Sequence, residues 1–364
     1  MRALRRASWL VAIVALGACS GDSSSTNDTS AASESVVDSQ VSSSTNAPVG
    51  GVDGLPVVAV TYSALESVVA GIVGDSARVE VIIPNGTDPH DFEPSAKDVE
   101  MMSSSAIVVA NGLDLEEGLE DALAETEKSG VPVFHVADHV TLRKGSDHAH
   151  GDEEHGDEEH GDEEHGDEAH GDEAHGDEAH GDEEHGDKEH GDKEHGHGAE
   201  DPHIWLDPLT LAEAVPEMAE QIGSVIGADL SSAGAAQVSL LENLNKEIET
   251  KMSGLDPCVM ITGHDSLGYF AARYGCEILG SVVPSFSTAA EATAKNLAEL
   301  KALAKGEDVK AIFTELGTPA DVVEQLAKEV GVEVVELATH LVPEGGGYPE
   351  MMSALTDSVV AGLS

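Results

Sequence analysis

The segment "VKAIFTELGTPADVVEQLAKEVGVEVVEL", from Val309 to Leu337, holds two short apolar runs on either side of a helical pattern. The first run is VKAIFTE, and the second, VEVVEL, begins at Val332. Continuous β-branched runs of this kind predict strands that are buried on both faces, as in parallel sheets. A helix between two such strands makes a βα unit, so the segment predicts an α/β fold.

The same alternation extends through the chain after residue 54. Six more runs of this type are VVAVTY from Val57, RVEVII from Arg78, AIVVAN from Ala106, VPVFHV from Val131, CVMITG from Cys258 and EILGSVV from Glu277. Four of the eight runs lie in each half of the chain. We therefore predict two α/β lobes, over residues 55–228 and 254–364, each with a four-stranded, mainly parallel sheet.

Helical patterns separate the two sets of strands. Asp207 followed by Pro208 is a good helix start, because Asp caps helices and Pro fits the first helical position. A second helix is expected from about Ser231 to Met252, where apolar residues recur at helical spacing. We assign residues 229–253 as a rigid linker helix, which predicts small rocking of the lobes rather than a large hinge closure.

The chain is strongly acidic. Its 364 residues include 18 Lys and Arg against 70 Asp and Glu, so the formal net charge is −52 at pH 7. Such a surface repels phosphate backbones, and nucleic acid is therefore not an expected partner. Metal cations and cationic partners are compatible with this charge.

The N-terminal residues predict export and lipid anchoring. Three arginines precede the short apolar segment WLVAIVALGA, so residues 1–19 have the pattern of a signal peptide. LGAC, which ends at Cys19, resembles a bacterial lipobox, whose cysteine is lipidated and becomes the mature N-terminus. The Ser- and Thr-rich residues 20–54 predict a disordered tether. The expected location is extracytoplasmic, with a lipid anchor in the cell membrane; an ordinary secretory signal is the alternative.

A histidine-rich repeat occupies residues 147–198. From Gly151 to His195 it contains nine five-residue units of the types GDEEH, GDEAH and GDKEH, with 22 Asp and Glu in all. Successive histidines would point about 140° apart on a helix and to alternate faces on a strand. Together with its glycines and dense charge, this spacing predicts a disordered loop within the N-terminal lobe.

The repeat histidines predict a low-affinity metal loop. They are His148, His150, His155, His160, His165, His170, His175, His180, His185, His190, His195 and His197. Each bound ion must order several flexible residues, at a cost of about 1–2 kcal/mol per residue, so we expect weakly held zinc. Two other interpretations stay open: a solubilising acidic spacer produced by repeat slippage, and a pH sensor that gains charge near pH 6.

Six histidines lie outside the repeat: His90, His135, His139, His203, His264 and His340. Three of them, His90, His264 and His340, follow predicted strands, and His203 comes just after the repeat. Ligands of open α/β sheets bind beyond the carboxyl ends of the strands. Histidines at such ends in both lobes therefore predict a metal site between the lobes.

The sequence around three of these histidines resembles that of a known family. The motifs are NGTDPHDFEPSAKD around His90, DPHIWLDP around His203 and TGHDSLGYFAARYG around His264. In this order, with an acidic histidine-rich loop before the second, they resemble the zinc- and manganese-binding lipoproteins of bacterial metal ABC transporters, of the ZnuA type. The resemblance covers about Leu55 to Ser364. It implies a metal held between two α/β lobes that a rigid helix joins.

Carried over by motif, the resemblance implies three metal ligands: His90, His203 and His264. The family commonly has an acidic residue at the fourth position, after the last strand and before a Gly-rich turn. Here ELATHLVPEGGGYPEMM has a histidine at that point. We predict His340 as the fourth ligand, with Glu344 and Glu315 as reserves.

The local sequence favours a rigid site. Pro89 and Pro94 restrict the backbone around His90, and Ser95 with Asp98 predicts a capping box for the next helix. Carboxylates near the ligands can accept the imidazole N–H bonds and so fix the tautomers. Four residues are candidates for this role: Asp88, Asp91, Asp201 and Asp207.

Two further residue pairs have weaker signals. His135 and His139 are four residues apart, which on a helix can chelate a metal, but VPVFHVAD predicts a strand that runs into a loop. Cys258 and Cys276 are a candidate disulfide, because the predicted compartment permits pairing. Sequence alone does not supply the Cα approach that a disulfide requires.

Four imidazole nitrogens favour Zn²⁺, since Mn²⁺ prefers oxygen-rich sites. Four protein ligands leave tetrahedral zinc no open position, so we do not expect an enzyme. The resemblance implies a monomer that captures Zn²⁺ and delivers it to an ABC permease and its ATPase. Alternatives are a manganese-binding member of the family, a surface zinc store or adhesin without a transporter, and a three-histidine metalloenzyme with Glu315 as general base. The last lacks an H-E-x-x-H motif.

Overall fold

The computed structural model describes residues 54–145, 200–307 and 309–364. The predicted signal peptide with Cys19, almost all of the predicted tether and the whole of loop 147–198 lie outside these residues. Within the described ranges, no helix is both long enough and apolar enough to cross a membrane.

The N-terminal sheet has four parallel strands in the order β2-β1-β3-β4. The strands are β1 (Val57–Val60), β2 (Arg78–Val81), β3 (Ile107–Ala110) and β4 (Val133–His135). The helices between them are α1 (Ser63–Val73), α2 (Ala96–Ser104) and α3 (Glu120–Lys128). The central strands β1 and β3 are almost completely buried, as expected for apolar strands in a parallel sheet. Ser95 and Asp98 form the predicted capping box at the start of α2.

The C-terminal sheet is also parallel, and its order β6-β5-β7-β8 is the same. The strands are β5 (Val259–His264), β6 (Glu277–Val283), β7 (Ala311–Glu315) and β8 (Glu333–Leu337). The helices that connect them are α6 (Gly268–Tyr274), α7 (Ala294–Gly306) and α8 (Ala320–Val330), with α4 (Pro208–Ile226) and α5 (Ser231–Met252) before the sheet and α9 (Tyr348–Leu363) after it.

The two predicted helices between the sheets are confirmed. Helix α4 begins at Pro208, and the carboxylate of Asp207 accepts a hydrogen bond from the backbone N of Leu209. Helix α5 has the predicted bounds and packs against α4, α1 and α9. Because α9 also contacts β7 and β8, helices from both ends of the fold meet at this connector.

One hydrophobic core runs through both lobes. It contains Val58 of the N-terminal sheet, Met218 of α4 and Phe313 of the C-terminal sheet. A second core, which includes Ile261 and Ile312, lies with residues of α7 and α8. Close-packed side chains therefore join the two lobes, in addition to the connecting helices. This packing favours small rocking of the lobes over a wide hinge motion.

The predicted fold class is confirmed, since all eight predicted strands are present in two four-stranded parallel sheets. In each sheet the strand order reverses between its two central strands, β1 and β3 or β5 and β7. Open α/β sheets bind ligands beyond the carboxyl ends of their strands at this point. His264 ends β5 and Glu315 ends β7, so both lie there.

Candidate metal centre

Three buried histidines converge between the lobes. The Nε2 atom of His203 lies 3.4 Å from Nε2 of His90 and 3.2 Å from Nε2 of His264. One ring nitrogen of each lies within 4.8 Å of the others. Four nitrogens bound to zinc at 2.0–2.1 Å in a tetrahedron would be about 3.3 Å apart. The two distances from Nε2 of His203 therefore fit the ligand spacing of a zinc ion.

His90 lies in the loop between β2 and α2. The Asp88 carboxylate accepts a hydrogen bond from the backbone N of His90, at 3.1 Å, and so closes a local turn. Burial and, to a smaller extent, the nearby His264 lower the pKa of His90 to about 3. The ring is therefore neutral at physiological pH, which is the protonation state that binds a metal.

His203 follows directly after the region that contains the repeat. Its Nδ1 lies 2.8 Å from Oδ1 of Asp201, and both side chains are fully buried. Since a carboxylate oxygen accepts, Nδ1 carries the hydrogen and the lone pair of Nε2 faces the other histidines. Burial lowers the pKa of His203 well below its usual value, and the neighbouring His264 and His90 add to this effect.

His264 is backed by Glu315, which ends the adjacent strand. The Oε1 atom of Glu315 lies 3.0 Å from Nδ1 of His264, although the two are not aligned as in a good hydrogen bond, and it also accepts a bond from the Ser266 hydroxyl. Glu315 is thus on the side of the ring away from the cluster of Nε2 atoms. Its place as a reserve ligand stays a prediction; in the described structure its Oε1 contacts the ring behind the site.

His340 lies in the loop between β8 and α9 and is buried. Its Nδ1 is 3.0 Å from Oγ1 of Thr339, and its Nε2 is buried without a hydrogen-bond partner in the described structure. Burial lowers the pKa of His340 well below its usual value, followed by the effects of His264 and His90. His340 is not part of the 4.8 Å group. Glu344, the other reserve, is exposed in the following turn.

The loop that carries His340 is hydrogen-bonded to the N-terminal half of the site. The backbone N of Gly86 donates to the carbonyl of His340 at 3.1 Å, and the indole N–H of Trp205 donates to the carbonyl of Thr339 at 2.9 Å. The side chain of Asn85 bonds to both the N and the O of Val342. This loop is therefore held by residues that flank His90 and His203.

The remaining histidines outside the repeat do not form a chelate. His135 ends β4, and His139 lies on the short 3₁₀ turn Val136–His139, where its ring stacks on Phe134 at 4.5 Å between centroids. This described pair therefore does not lie on one helix, as the strand pattern indicated. Neither residue belongs to the three-histidine group.

The four candidate acceptor carboxylates have different surroundings. Asp201 faces an imidazole, whereas Asp88 caps the backbone of its own loop. Asp207 caps α4 and accepts a two-point ion pair from Arg273 of α6. Asp91 is exposed. In the described structure, Asp201 is thus the member of this set that takes the predicted role.

Sequence reasoning missed Arg143. Its Nη1 lies 3.4 Å from Oδ2 of Asp201, and its backbone N donates to the hydroxyl of Tyr269 on α6. A Cβ added at Gly268 would lie 2.1 Å from that Nη1, so glycine is needed for the arginine to approach. No local pattern indicates this contact, because the whole repeat separates Arg143 from Asp201 in the sequence.

The structure contains a disulfide between Cys258 and Cys276, with their Cα atoms 4.6 Å apart. Cys258 immediately precedes β5, and Cys276 immediately precedes β6. The bond thus lies at the amino ends of these strands, whereas His264 is at the carboxyl end of β5. It supports the C-terminal sheet without contact with the metal centre.

Comparison with known proteins places the chain in a family. The family model described as "ZnuA: Zinc-uptake complex component A periplasmic" matches residues 58–362. The chain belongs to this family. The resemblance inferred from the three motifs is therefore confirmed, and the matched region includes all four histidines discussed above.

Individual relatives agree with the family match. The high-affinity zinc uptake system protein ZnuA of Bacillus subtilis is 29% identical over 322 residues, which cover 83% of this chain and 87% of that protein. The zinc-binding protein AdcA of Streptococcus pyogenes is 26% identical over 294 residues. That alignment covers 77% of this chain and 50% of AdcA, so the chain spans half the length of this relative.

Solved structures show the same fold. The periplasmic zinc-binding protein TroA from Treponema pallidum superposes with a TM-score of 0.65 and covers 85% of this chain and 100% of its own. Its sequence identity is 22%, so the likeness concerns the arrangement of the two lobes.

Proposed function

We propose that this protein is the extracytoplasmic zinc-binding component of an ABC metal importer. Zn²⁺ is the cargo, and the ligands are four histidines: His90, His203, His264 and His340. The observation that carries the proposal is the convergence of three buried Nε2 atoms at the spacing of zinc ligands, in a chain of the zinc-uptake family. Delivery follows when a permease and its ATPase draw the ligands apart.

The fourth nitrogen comes from His340 in this proposal. A buried ring nitrogen without a partner costs free energy, and a metal ion would satisfy it. The Thr339 hydroxyl beside Nδ1 leaves Nε2 as the atom that binds. Zinc then draws this loop onto the other three ligands and completes the tetrahedron.

Zinc is favoured over manganese because the converging atoms are nitrogens. Imidazole suits Zn²⁺, whereas Mn²⁺ prefers carboxylate, carbonyl and water ligands. Glu315 is behind His264 and Glu344 is exposed, so neither supplies an oxygen to the site as the structure has it. Competition between the two metals for the purified protein tests this preference, and tighter binding of Mn²⁺ would overturn it.

The same geometry argues against a metalloenzyme. Four protein ligands leave zinc no position for a reactive water. The carboxylate of Glu315, which a hydrolytic mechanism would use as its base, contacts Nδ1 of His264 on the side away from the metal position. We therefore assign the protein a binding role and no catalytic one.

We assign loop 147–198 the role of a low-affinity zinc collector. The described residues that flank it support this role. The backbones of Lys144 and Glu200 form an isolated antiparallel β-bridge, which brings the two flanks of the segment together. The residue after Glu200 is Asp201, which contacts His203. Zinc held by the repeat would therefore be concentrated near a ligand of the tight site.

Anchoring and partnership complete the proposal. Lipidation of Cys19 keeps a monomeric binding protein at the outer face of the membrane, within reach of its permease. Deletion of the gene should impair growth when zinc is chelated, and the intact gene should restore it. Restoration by a Cys19→Ala variant that is released into the medium would argue against a need for the anchor.

The decisive experiment is a calorimetric zinc titration of the protein without its tether, with and without residues 147–198. We expect one tight site in both forms and additional weak sites only when the repeat is present. Loss of tight binding with the repeat would make the repeat itself the receptor. In that case, the assignment of the four histidines would be wrong.

A further inference from the structure

Asp88 joins the loop of His90 to the opposite lobe. One oxygen, Oδ1, accepts the hydrogen bond from the backbone N of His90. The other, Oδ2, accepts a hydrogen bond of 2.7 Å from the hydroxyl of Thr288, which is 200 residues away in the sequence. Thr288 is buried in the loop between β6 and α7 of the C-terminal lobe.

A glycine makes room for this carboxylate. Gly317, which follows β7, has a φ of +87°, and a Cβ there would lie 1.9 Å from Oδ2 of Asp88. The same Cβ would lie 3.0 Å from Cγ2 of Thr288. Asp88 therefore sits in a cradle made by two loops of the C-terminal lobe, and no side chain larger than glycine fits at position 317 without displacing it.

The cradle is close to His264. The loop of Thr288 is bonded to the segment just after that histidine, because the backbone N of Asp265 donates to the carbonyl of Ser285 at 3.0 Å. Asp88 thus connects the backbone of one zinc ligand to a loop that is fastened beside another. The loop of His340, in contrast, is bonded to Gly86, Asn85 and Trp205 on the N-terminal side.

We propose that Asp88, Thr288 and Gly317 form a latch that slows the release of zinc. The proposal rests on the inter-lobe zinc site proposed above. His203 and the loop of His340 are bonded to residues on the N-terminal side, whereas His264 ends a strand of the C-terminal sheet. The bonds of Arg143 to Tyr269 and of Arg273 to Asp207 also cross to the C-terminal lobe, but Asp88 is the one of these contacts that is bonded directly to the backbone of a histidine. Separation of His264 from the other three therefore requires Asp88 to leave its cradle. Asp88 acts as a positioning residue and does not touch the metal in this scheme.

The test measures zinc dissociation from the full chain, kept in detergent and loaded with one equivalent of zinc, after mixing with a chelator in stopped flow. Thr288→Val removes the donor and keeps the side-chain shape. We expect release to become about tenfold faster, as for the loss of one hydrogen bond to a charged group. The association rate should change by less than about twofold, since the ligands themselves are unaltered.

Thr318, in the loop that contains Gly317, offers a matched control. Thr318 is adjacent to Gly317, and its Oγ1 has no hydrogen-bond partner in the described structure. Thr318→Val should therefore leave the dissociation rate unchanged. Gly317→Ala is a second, independent variant, and its added Cβ should speed release as Thr288→Val does.

The outcomes separate the latch from the site. Unchanged release in both Thr288→Val and Gly317→Ala, with tight zinc binding by the parent chain, refutes the latch and leaves the zinc site intact. Absence of a single tight site in the parent chain refutes the proposed function instead. The double variant Asp88→Asn with Thr288→Val must show a coupling between the two side chains; simple additivity would also overturn the latch.

Discussion

Asp201 and His203 form a buried pair in which Oδ1 of the carboxylate lies 2.8 Å from Nδ1 of the ring. The same oxygen accepts a bond from the backbone N of His203 at 3.0 Å. Two contacts to one oxygen set both the backbone and the ring of this histidine. Arg143, on the other oxygen, holds the carboxylate in turn. The orientation of His203 is therefore established before a metal arrives.

The first prediction concerns this pair. Asp201→Asn should raise the zinc dissociation constant about 10–100-fold, because the amide is a weaker acceptor for the ring N–H and lowers the basicity of Nε2. Competition with a fluorescent zinc chelator measures the change. Asp75→Asn, an equivalent substitution at an exposed position, is the control and should leave the constant unchanged. Equal constants for Asp201→Asn and the parent would contradict a role for Asp201 in orienting the ligand.

Much of the fold could be predicted because it depends on local patterns. The strands are continuous β-branched runs, and α4 begins at an Asp-Pro pair, so their positions follow from neighbouring residues. The assignment of the four histidines as ligands stays a prediction. Their place at or after strand ends could be inferred because parallel strands direct their carboxyl ends to one edge.

The partners of the site residues could not be predicted from sequence. Glu315 reaches His264 because β7 lies beside β5 in the sheet, and strand order is a property of the whole lobe. Asp88 meets Thr288 across the gap between two lobes. These contacts depend on topology and loop conformation. A single sequence contains no pattern that pairs side chains so far apart.

The second prediction concerns the fourth ligand. His340→Ala should weaken zinc binding by more than about 100-fold, or about 2.7 kcal/mol, because a direct ligand is lost rather than an outer contact. The visible spectrum of the Co²⁺ form should also change, as water replaces an imidazole in the vacated position. His139→Ala is the matched control, since that ring stacks on Phe134 away from the site. An unchanged spectrum and affinity in His340→Ala would remove His340 from the ligand set.

The third prediction concerns the pH dependence of the metal-free protein. Burial lowers the pKa of His90 to about 3, and it lowers the pKa values of His203 and His340 as well. In the unfolded chain these rings titrate near pH 6.5, so below that pH the unfolded state binds protons that the folded state does not. The three neutral rings therefore make their full contribution to the free energy of unfolding above pH 6.5, and this contribution is lost as the pH decreases toward 3.

The expected size follows from this window. Between pH 7.5 and 5.5, each histidine should lower the free energy of unfolding by roughly 1 kcal/mol, and the three together by a few kcal/mol. Urea denaturation in the presence of a chelator measures the slope. Replacement of all three by Asn should flatten it, with Asn chosen to keep a polar side chain of moderate size. A parent protein whose stability is constant over this range would show that the three rings titrate normally when buried.

The last prediction separates stability from binding by means of the disulfide. Cys258 and Cys276 are 18 residues apart, and loss of a cross-link over a loop of this length should lower the free energy of unfolding by about 3 kcal/mol. The bond is at the amino end of β5, and the six-residue separation between Cys258 and His264 spans about 20 Å. The removal of the bond should therefore have no direct effect on the metal centre. The double variant Cys258→Ser with Cys276→Ser should therefore unfold at lower urea concentration and still bind zinc with a dissociation constant within about twofold of the parent. Reduction of the disulfide in the parent protein removes the cross-link without a substitution and is the control. A large loss of zinc affinity in the folded double variant would show that the C-terminal sheet transmits strain along β5 to His264, and the disulfide would then belong to the binding machinery.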